Sequence, residues 1–510
     1  MINFVDRLLN KITMYRLVLY VLIAFLAIAV VFGAVGWLPY SPISIVLSTL
    51  VLLVACWLVN SIIADFLKVS TNFESVYITA LILALIITPP KFAPIDYGGI
   101  MFLVWASVFA MASKYVLAIN KKHLFNPAAI AVVLTGLLFN QYASWWVGGN
   151  LPLLGFVLVG GLLITRKIRR FDLVTTFGVV AVASIVLTSL QFNPLVTIEK
   201  TFIHTSLLFF AFIMLTEPLT TPPTRALRIA YGAIVGVLFA PAIHIGSLYS
   251  SPELALVVGN IFAYTVSPKG KHAFVLKEKK EMGTDLYDFV FTTKNGPMPF
   301  RPGQYMEWTL AAKKNDDRGN RRYFTIASSP TERELHLGVK FYEPPSTFKR
   351  ELFAMEPGAA IMGGGIAGDF TLPNDKRKKL AFIAGGIGIT PFRSMVKYLS
   401  DKGERRDAVL LYSNRTMAEI SYREVFDEAA KTAGIRTIYA VTGAGEQTPE
   451  PNGHKGRIDA ALIAKKIPDY RDRMFYISGT HAMVSAMESI LRDMGVPRAQ
   501  IKTDFFPGFA

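Results

Sequence analysis

The sequence predicts a chain in two parts. The first is an α-helical polytopic membrane domain of about ten spans in two inverted five-helix repeats; the second is a small antiparallel β-barrel followed by a doubly wound parallel α/β domain. Three observations predict this. Up to about Val266 the chain is a series of apolar runs with few charges, and from Ser267 it becomes charge-rich. Within the apolar part, short pieces recur at a fixed offset. The charged part passes from alternating strands, cut by Gly, Pro and Asn turns, to strand–glycine turn–helix units. The domains so read are 1–266, 267–374 and 375–510.

The apolar runs centre near Phe25, Val54, Leu83, Val108, Val133, Leu158, Val179, Phe210, Val235 and Val257. Each approaches the ~20 residues that cross a hydrocarbon core, and the shorter ones read as tilted or broken helices. The leading stretch "MINFVDRLLNKITMYR" lacks a small-residue cleavage site and reads as a signal anchor. With the N-terminus inside, the inner loops hold Lys68, "NKKH", "RKIRR" and "TRALR", while the outer loops hold little beyond Lys91 and Lys200. This predicts a multi-pass protein of a bacterial-type cell membrane, with the N-terminus and the charged half cytoplasmic.

The repeat is carried by "FNPAAIAVVLTG" and "YSSPELALVVGN". Pro127 and Pro252, and Val132-Val133 and Val257-Val258, are offset by 125 positions. The third run ends in "ALIITPP" and the eighth in "IMLTEPLTTPP". An odd number of spans inverts the second copy, and sites of such proteins lie where the repeats meet. Prolines at the cytosolic end of the eighth span stop the helix and leave threonine hydroxyls and backbone groups to line a cavity. Thr216, Glu217, Thr220 and Thr221, with Asn126, are the expected lining. Polar groups within spans usually face a cavity or the bundle interior, which also singles out Glu74 and Asn260. Asn126 reads equally as a cap before Pro127, and Asn260 as an interhelical hydrogen bond.

Composition excludes several classes. The net charge of +16 sits in inner loops and on a basic cytosolic surface suited to anionic lipid. No basic stretch forms a recognition module, so no nucleic-acid partner is expected. The single cysteine, Cys56, lies in a membrane run, which leaves no disulfide framework and no cysteine-held iron–sulfur cluster. The membrane half has only His123, His204 and His244, too few for two bis-histidine haems. No metal site is predicted.

In the charged half, "FRPGQYMEWTL", "RRYFTIASSP" and "ELHLGVKFY" are strands of the barrel. "KLAFIAGGIGITPFRSMVKYL" then gives a strand, a glycine turn and a helix. Gly385, Gly386 and Gly388 let a phosphate approach backbone N–H groups, and the helix opening at Thr390-Pro391 adds unpaired donors and a partial positive charge. "AVLLYSNR", "RTIYAVTG" and "RMFYISGTHAMVSAMESIL" supply further strand–helix units. Arg322, Phe324 and Thr325 share one strand in an Arg-x-(Tyr/Phe)-(Ser/Thr) pattern. Arginine can neutralise a pyrophosphate, an aromatic can stack on an isoalloxazine, and a hydroxyl can bond the flavin N5.

The order of strand motif, glycine loop, "ISGTHAM" and aromatic C-terminus resembles the ferredoxin–NADP reductase superfamily across residues 270–510. The resemblance implies that Arg322, Tyr323, Phe324 and Thr325 hold FAD, with Ser346 and Thr347 of "PPSTFKREL" at its pyrophosphate and Phe506 or Phe509 near its ring. It implies that Gly385, Gly386, Gly388, Thr390, Pro391, Gly479, Thr480 and Met483 bind NADH or NADPH, with Thr325, Ser478 and Phe506 at the hydride-transfer site. Ser478-Gly479-Thr480 stands where the family usually has Cys-Gly-Pro, and Phe324 where it usually has Tyr. Arg415 and Arg423 could pair with a 2′-phosphate or be solvated helix charges, and Glu419 could take a ribose hydroxyl.

"KKHLFNPAA" with "MLTEPLTTPPTRALRIAYGAIVGVLF" resembles membrane subunits B and D of the sodium-pumping NADH:quinone reductase and Rnf complexes, across most of residues 15–265. Those subunits pass electrons through flavins in a urea-transporter-like fold. Their Ser-Gly-Ala-Thr site for covalent FMN is absent here, so a noncovalent FMN, riboflavin or quinone is the expected occupant. The two resemblances imply an NAD(P)H-dependent, FAD-containing membrane oxidoreductase, with NADH slightly preferred and a quinone or flavin as acceptor. The alternative is a transporter-like, ion-translocating domain regulated or driven by the reductase. Oligomeric state is open.

Overall fold

The computed structural model describes residues 5–6, 8–9, 12–69, 73–119, 122–269, 271–293, 298–310, 320–443 and 453–506. The chain divides into two compact units, Met1–Gly270 and Lys271–Ala510.

In the first unit the helices are α1 (Met14–Ala34), α2 (Pro42–Phe66), α3 (Phe73–Ile86), α4 (Tyr97–Val116), α5 (Pro127–Phe139), α6 (Leu151–Ile168), α7 (Phe171–Thr188) and α8 (Pro194–His204). A short turn, Leu207–Phe209, then runs into a π-helical turn, Phe210–Met214, before α9 (Arg225–Leu238) and α10 (Pro252–Val266). Every centre read from the sequence falls in a helix. Five helices among the described residues, α1, α2, α4, α6 and α7, are long and apolar enough to cross a membrane. The break after α8 bends that pair by 63°, and counting it as one span gives six. The rest are short: α3, α5, α9 and α10 have 14, 13, 14 and 15 residues, only about 20–22 Å at 1.5 Å per residue.

Side-chain caps start these helices. Thr13, Ser41, Asp96, Asn126, Asn193 and Ser251 each accept a backbone N–H in the first turn. Ends are satisfied with equal care, as apolar surroundings require. The last carbonyls of α3 receive Trp146 Nε1 at Ala84 O (2.9 Å), Val147 N at Leu85 O (3.3 Å) and Trp145 N at Ile86 O (2.8 Å). Close packing depends on small residues. On α9, Gly232 and Gly236 lie against the backbone of α7, where a Cβ on Gly236 would sit 3.0 Å from Phe177 O. Only 22–39% of each span is buried within the protein, so the remaining apolar surface suits lipid. A two-stranded hairpin, β1 (Ala118–Ile119) and β2 (Lys122–His123), precedes α5, and another, β3 (His244–Ile245) and β4 (Leu248–Tyr249), precedes α10.

The second unit holds two sheets. The first comprises β5 (Lys271–Gly283), β6 (Leu286–Thr293), β7 (Tyr305–Thr309), β8 (Arg321–Thr325), β9 (Leu335–Lys340) and β10 (Ala360–Ala367), ordered β8-β7-β10-β5-β6-β9 and antiparallel throughout. Just beyond β8, Ala327 N donates to His336 O of β9 at 3.0 Å, which brings the two end strands together. Trp308, Phe274, Phe289, Phe291 and Met306 fill its core with Phe348 and Leu352 from α11 (Thr347–Phe353).

The second sheet is parallel: β11 (Leu380–Gly385), β12 (Ala408–Asn414), β13 (Arg436–Val441), β14 (Gly453–Lys455), β15 (Met474–Thr480) and β16 (Ile501–Phe506), ordered β14-β13-β12-β11-β15-β16. Helices α12 (Thr390–Asp401) and α13 (Arg423–Thr432) cover one face; α14 (Ala460–Lys466) and α15 (His481–Asp493) cover the other. Strand order reverses between β11 and β15, and such a reversal opens a crevice at the carboxyl ends of the strands.

Candidate functional site

The crevice between β11 and β15 is where the glycine loop lies. β11 ends at Gly385, and residues Gly386–Ile389 form one 3-10 turn before α12. Gly386 takes φ +52°, and no atom lies within 4 Å of where its Cβ would be. That left-handed turn leaves open space over the loop, as a phosphate would need. Gly388 is the opposite case: a Cβ there would fall 2.4 Å from Ser478 O and 2.6 Å from Gly479 N. Its lack of a side chain lets the loop touch β15. Met483 lies over Gly385, and Thr480 caps α15 by accepting the Met483 N–H at 3.4 Å. The structure therefore gathers Gly385, Gly386, Gly388, Thr390, Ser478, Gly479, Thr480 and Met483 at one crevice. The Thr390 hydroxyl is committed to Ile387 O at 3.2 Å. Ser478 Oγ is fully buried with no hydrogen-bond partner among the described residues. A buried hydroxyl left so is costly and fits a site completed by a polar ligand group.

The flavin motif is divided between two faces of β8. Arg322 pairs across to Trp308 and Phe324 to Met306. Both are on the core side, with the Phe324 ring 6.0 Å and the Arg322 guanidinium 5.4 Å from the Phe348 ring. Tyr323 and Thr325 alternate to the other side, with Glu307 and Tyr305 opposite them. Tyr323 donates to Glu307 Oε2 at 2.8 Å. One ligand face cannot present all four side chains at once. Ser346 and Thr347 lie at the start of α11, and their hydroxyls already accept from Lys349 N (3.3 Å) and Arg350 Nη2 (3.2 Å).

Of the residues weighed for the nucleotide's far end, Glu419 accepts from Arg415 N at 3.1 Å and pairs with Lys340 at 3.3 Å. Arg423 pairs with Asp427 at 3.4 Å and lies over Tyr439, as a helix surface charge does. The Arg415 side chain is exposed. The Phe506 backbone pairs with Thr480; its side chain and all of Phe509 lie outside the described residues.

Sequence reasoning missed a buried polar network beside this crevice. Arg393, Glu332, His336, Asp288 and Tyr422 come together from four separate stretches. Burial, then the Asp288 carboxylate, push the Tyr422 phenol well above its usual range. The one available signal was Arg393, two residues after "GGIGITP".

In the first unit, Asn126, Thr216 and Glu217 line one partly open pocket with Tyr15, Ser75 and Thr79, whose cavity volume is about 60 Å³. Thr220 and Thr221 are not in its wall. The threonine hydroxyls each donate a hydrogen bond: Thr216 to Phe212 O (2.7 Å), Thr220 to Glu217 Oε2 (3.2 Å) and Thr221 to Pro218 O (3.3 Å). Glu217 lies 3.5 Å from His123, and Glu74 pairs with Arg16 at 3.0 Å. Asn126 caps α5, accepting from Ala128 N and Ala129 N, and its own N–H donates to Asn260 Oδ1 at 2.8 Å. Among the described residues no group of three or more His, Cys, Asp or Glu gathers as for a metal ion.

Residues 382–489 match the family model of the oxidoreductase NAD-binding domain. A flavohemoprotein of Bacillus subtilis is 24% identical over 237 residues, covering 46% of this chain and 58% of that protein. A flavohemoprotein of Burkholderia sp. is 28% identical over 242 residues (47% and 60%), and an NADPH oxidoreductase of Mycobacterium tuberculosis 27% identical over 202 (38% and 50%). The chain thus spans 50–60% of the length of these curated relatives. Among solved structures, the FAD/NAD-binding domain of a Vibrio cholerae nitric oxide dioxygenase aligns at 20% identity and TM-score 0.41, over 46% of this chain and 98% of that one. The C-terminal half matches the FAD- and NAD(P)-dependent oxidoreductase superfamily.

Proposed function

We propose that the chain is a membrane-bound flavoprotein oxidoreductase that takes hydride from NADH or NADPH onto FAD and passes electrons to an acceptor in its membrane unit. The observation that carries the reading is the crevice at the strand-order reversal. An open glycine loop, a helix N-terminus and a buried unpartnered Ser478 hydroxyl meet there, in the unit that also holds the Arg322–Thr325 strand. FAD, when bound, supplies a ring that accepts two electrons as hydride and releases them singly. The chain's own work is placement. The turn at Gly386 and the start of α12 offer backbone donors to a pyrophosphate, Arg322 brings positive charge for the flavin phosphates, and Ser478 and Thr325 offer hydroxyls at the reacting rings.

The membrane unit is read as two inverted repeats making up ten spans. Support comes from the matched hairpins before α5 and α10, the proline-started short helices that follow them, and the 125-residue offset between their prolines. The pocket at Asn126, Thr216 and Glu217 is proposed to hold noncovalent FMN, riboflavin or a quinone, in keeping with the resemblance to membrane subunits B and D. The positive-inside pattern supports a cytoplasmic N-terminus and reductase in a bacterial-type cell membrane.

The test uses the purified full-length chain. Flavins are extracted, identified and counted, and flavin bleaching by NADH and NADPH is followed anaerobically. FAD with a second flavin, or FAD with nucleotide-dependent reduction of an added quinone analogue, supports the reading. A chain that holds no FAD, or whose flavin neither nucleotide reduces, refutes it.

A further inference from the structure

The helix after the glycine loop also grips the flavin strand. Arg393, on the first turn of α12, is only 4% exposed. Its guanidinium makes a two-pronged ion pair with Glu332, Nη1 meeting Oε2 and Nη2 meeting Oε1 at 2.8 Å. Nη1 also donates to the Ala327 carbonyl at 3.2 Å, and the neighbouring Ser394 hydroxyl donates to the Ser328 carbonyl at 2.6 Å. Ala327 and Ser328 lie two and three residues after Thr325, where the flavin motif ends.

Glu332 is itself held, since its Oε2 accepts the Ser329 N–H at 2.6 Å. Behind the pair, the Tyr422 ring lies 5.5 Å from the Arg393 guanidinium carbon, and its hydroxyl donates to Asp288 at 3.1 Å. The other Asp288 oxygen is 2.7 Å from His336 Nδ1. Asp288 and His336 belong to β6 and β9 of the antiparallel sheet, while Arg393 and Tyr422 come from α12 and the start of α13, which cover the parallel sheet, so the two layers share one buried network.

We infer that Arg393 is a positioning residue, which with Glu332 fixes the separation between the flavin strand and the nucleotide loop and so the approach of nicotinamide to flavin. The inference rests on the function proposed above. The flavin strand and the glycine loop belong to different sheets, and neither sheet alone sets the distance between them. Hydride transfer requires reacting atoms about 3–3.5 Å apart, and a misplacement of about 1 Å can cost about 10²-fold in rate. A planar guanidinium held at two points fixes angle as well as distance, which an ammonium cannot.

The test is stopped-flow reduction of the full-length, FAD-loaded chain. Arg393→Met is expected to slow flavin reduction by about 10–100-fold, with FAD content intact and the KM for nucleotide within about 3-fold. The long-wavelength charge-transfer absorbance of nicotinamide against flavin should weaken in parallel, and Arg393→Lys should give an intermediate rate.

Removing one partner leaves an uncompensated charge, which could destabilise the protein regardless of any positioning role. The double variant Glu332→Gln/Arg393→Gln removes both charges, and it should regain thermal stability while the slow reduction persists. Wild-type reduction in Arg393→Met, a rate restored in the double variant, or a defect cured by added FAD would each overturn the inference. A wild-type chain reduced by neither nucleotide would instead bring down the underlying function, and this inference with it.

Discussion

Gly388→Ala tests the contact between the glycine loop and β15. The added methyl carbon would sit 2.4 Å from Ser478 O, 2.5 Å from its carbonyl carbon and 2.6 Å from Gly479 N, where ordinary contact begins at 3.4 Å. All three neighbours are strand backbone, with Ser478 paired to β11 and β16 and Gly479 to β16, so they cannot swing aside as a side chain would. Loop and strand must separate by about 1 Å, which predicts a fall in reduction rate of about 10²-fold. Overpacking of this kind should also remove about 1–3 kcal/mol of stability. Gly386→Ala is the comparison: nothing crowds its Cβ, so the strand stays in place and the methyl enters the space proposed for phosphate, although its φ of +52° strains any side chain and should cost about 1 kcal/mol of stability. It should raise KM more than it lowers kcat. The assay is anaerobic flavin reduction over a range of nucleotide concentrations, with FAD content and melting temperature measured on the same samples. Wild-type kinetics in Gly388→Ala, with FAD retained, would refute the reasoning.

Thr325→Ala should slow flavin reduction while leaving membrane insertion unchanged, checked by stopped-flow and by fractionation; an unaltered rate counts against the flavin-motif assignment. Asn260→Leu takes away the acceptor of the Asn126 N–H and should cost about 1–3 kcal/mol in thermal unfolding in detergent; an unchanged melting temperature would contradict the packing described. Asp469 is held down at about 2 by hydrogen bonds from Arg473, opposed by some burial, and from Lys379. Its folded value lies below its unfolded one, so its stabilisation is present above the unfolded value near 3.8 and fades as pH falls toward 2. The melting-temperature gap between wild type and Asp469→Asn should therefore narrow across that window, and a constant gap would disprove the pairing.

The helix centres were legible because apolar runs need only composition to be seen. So was the strand, glycine loop and helix order, because each carries local turn chemistry. The division of Arg322 and Phe324 from Tyr323 and Thr325 was also available, since side chains alternate along a strand. The inward-turned hydroxyl of Thr216 followed from the habit of threonine to bond four residues back. The 63° bend after α8 was not legible, because Thr205 and Ser206 break a helix only in a particular tertiary setting. Nor was Arg393 with Glu332: the two are 61 positions apart, and no local pattern joins them.

The bond from Asn126 N to Asn260 Oδ1 ties the start of α5 to the middle of α10, and Asn260 Nδ2 reaches Tyr231 Oη at 3.1 Å. All three residues are buried. On the inverted-repeat reading proposed above, a carrier that rocks one repeat against the other would have to undo this clasp on every cycle. A conduit carries no such burden. Electrons can cross a scaffold that stays still, and a scaffold pinned at its centre suits the fixed flavin or quinone proposed above.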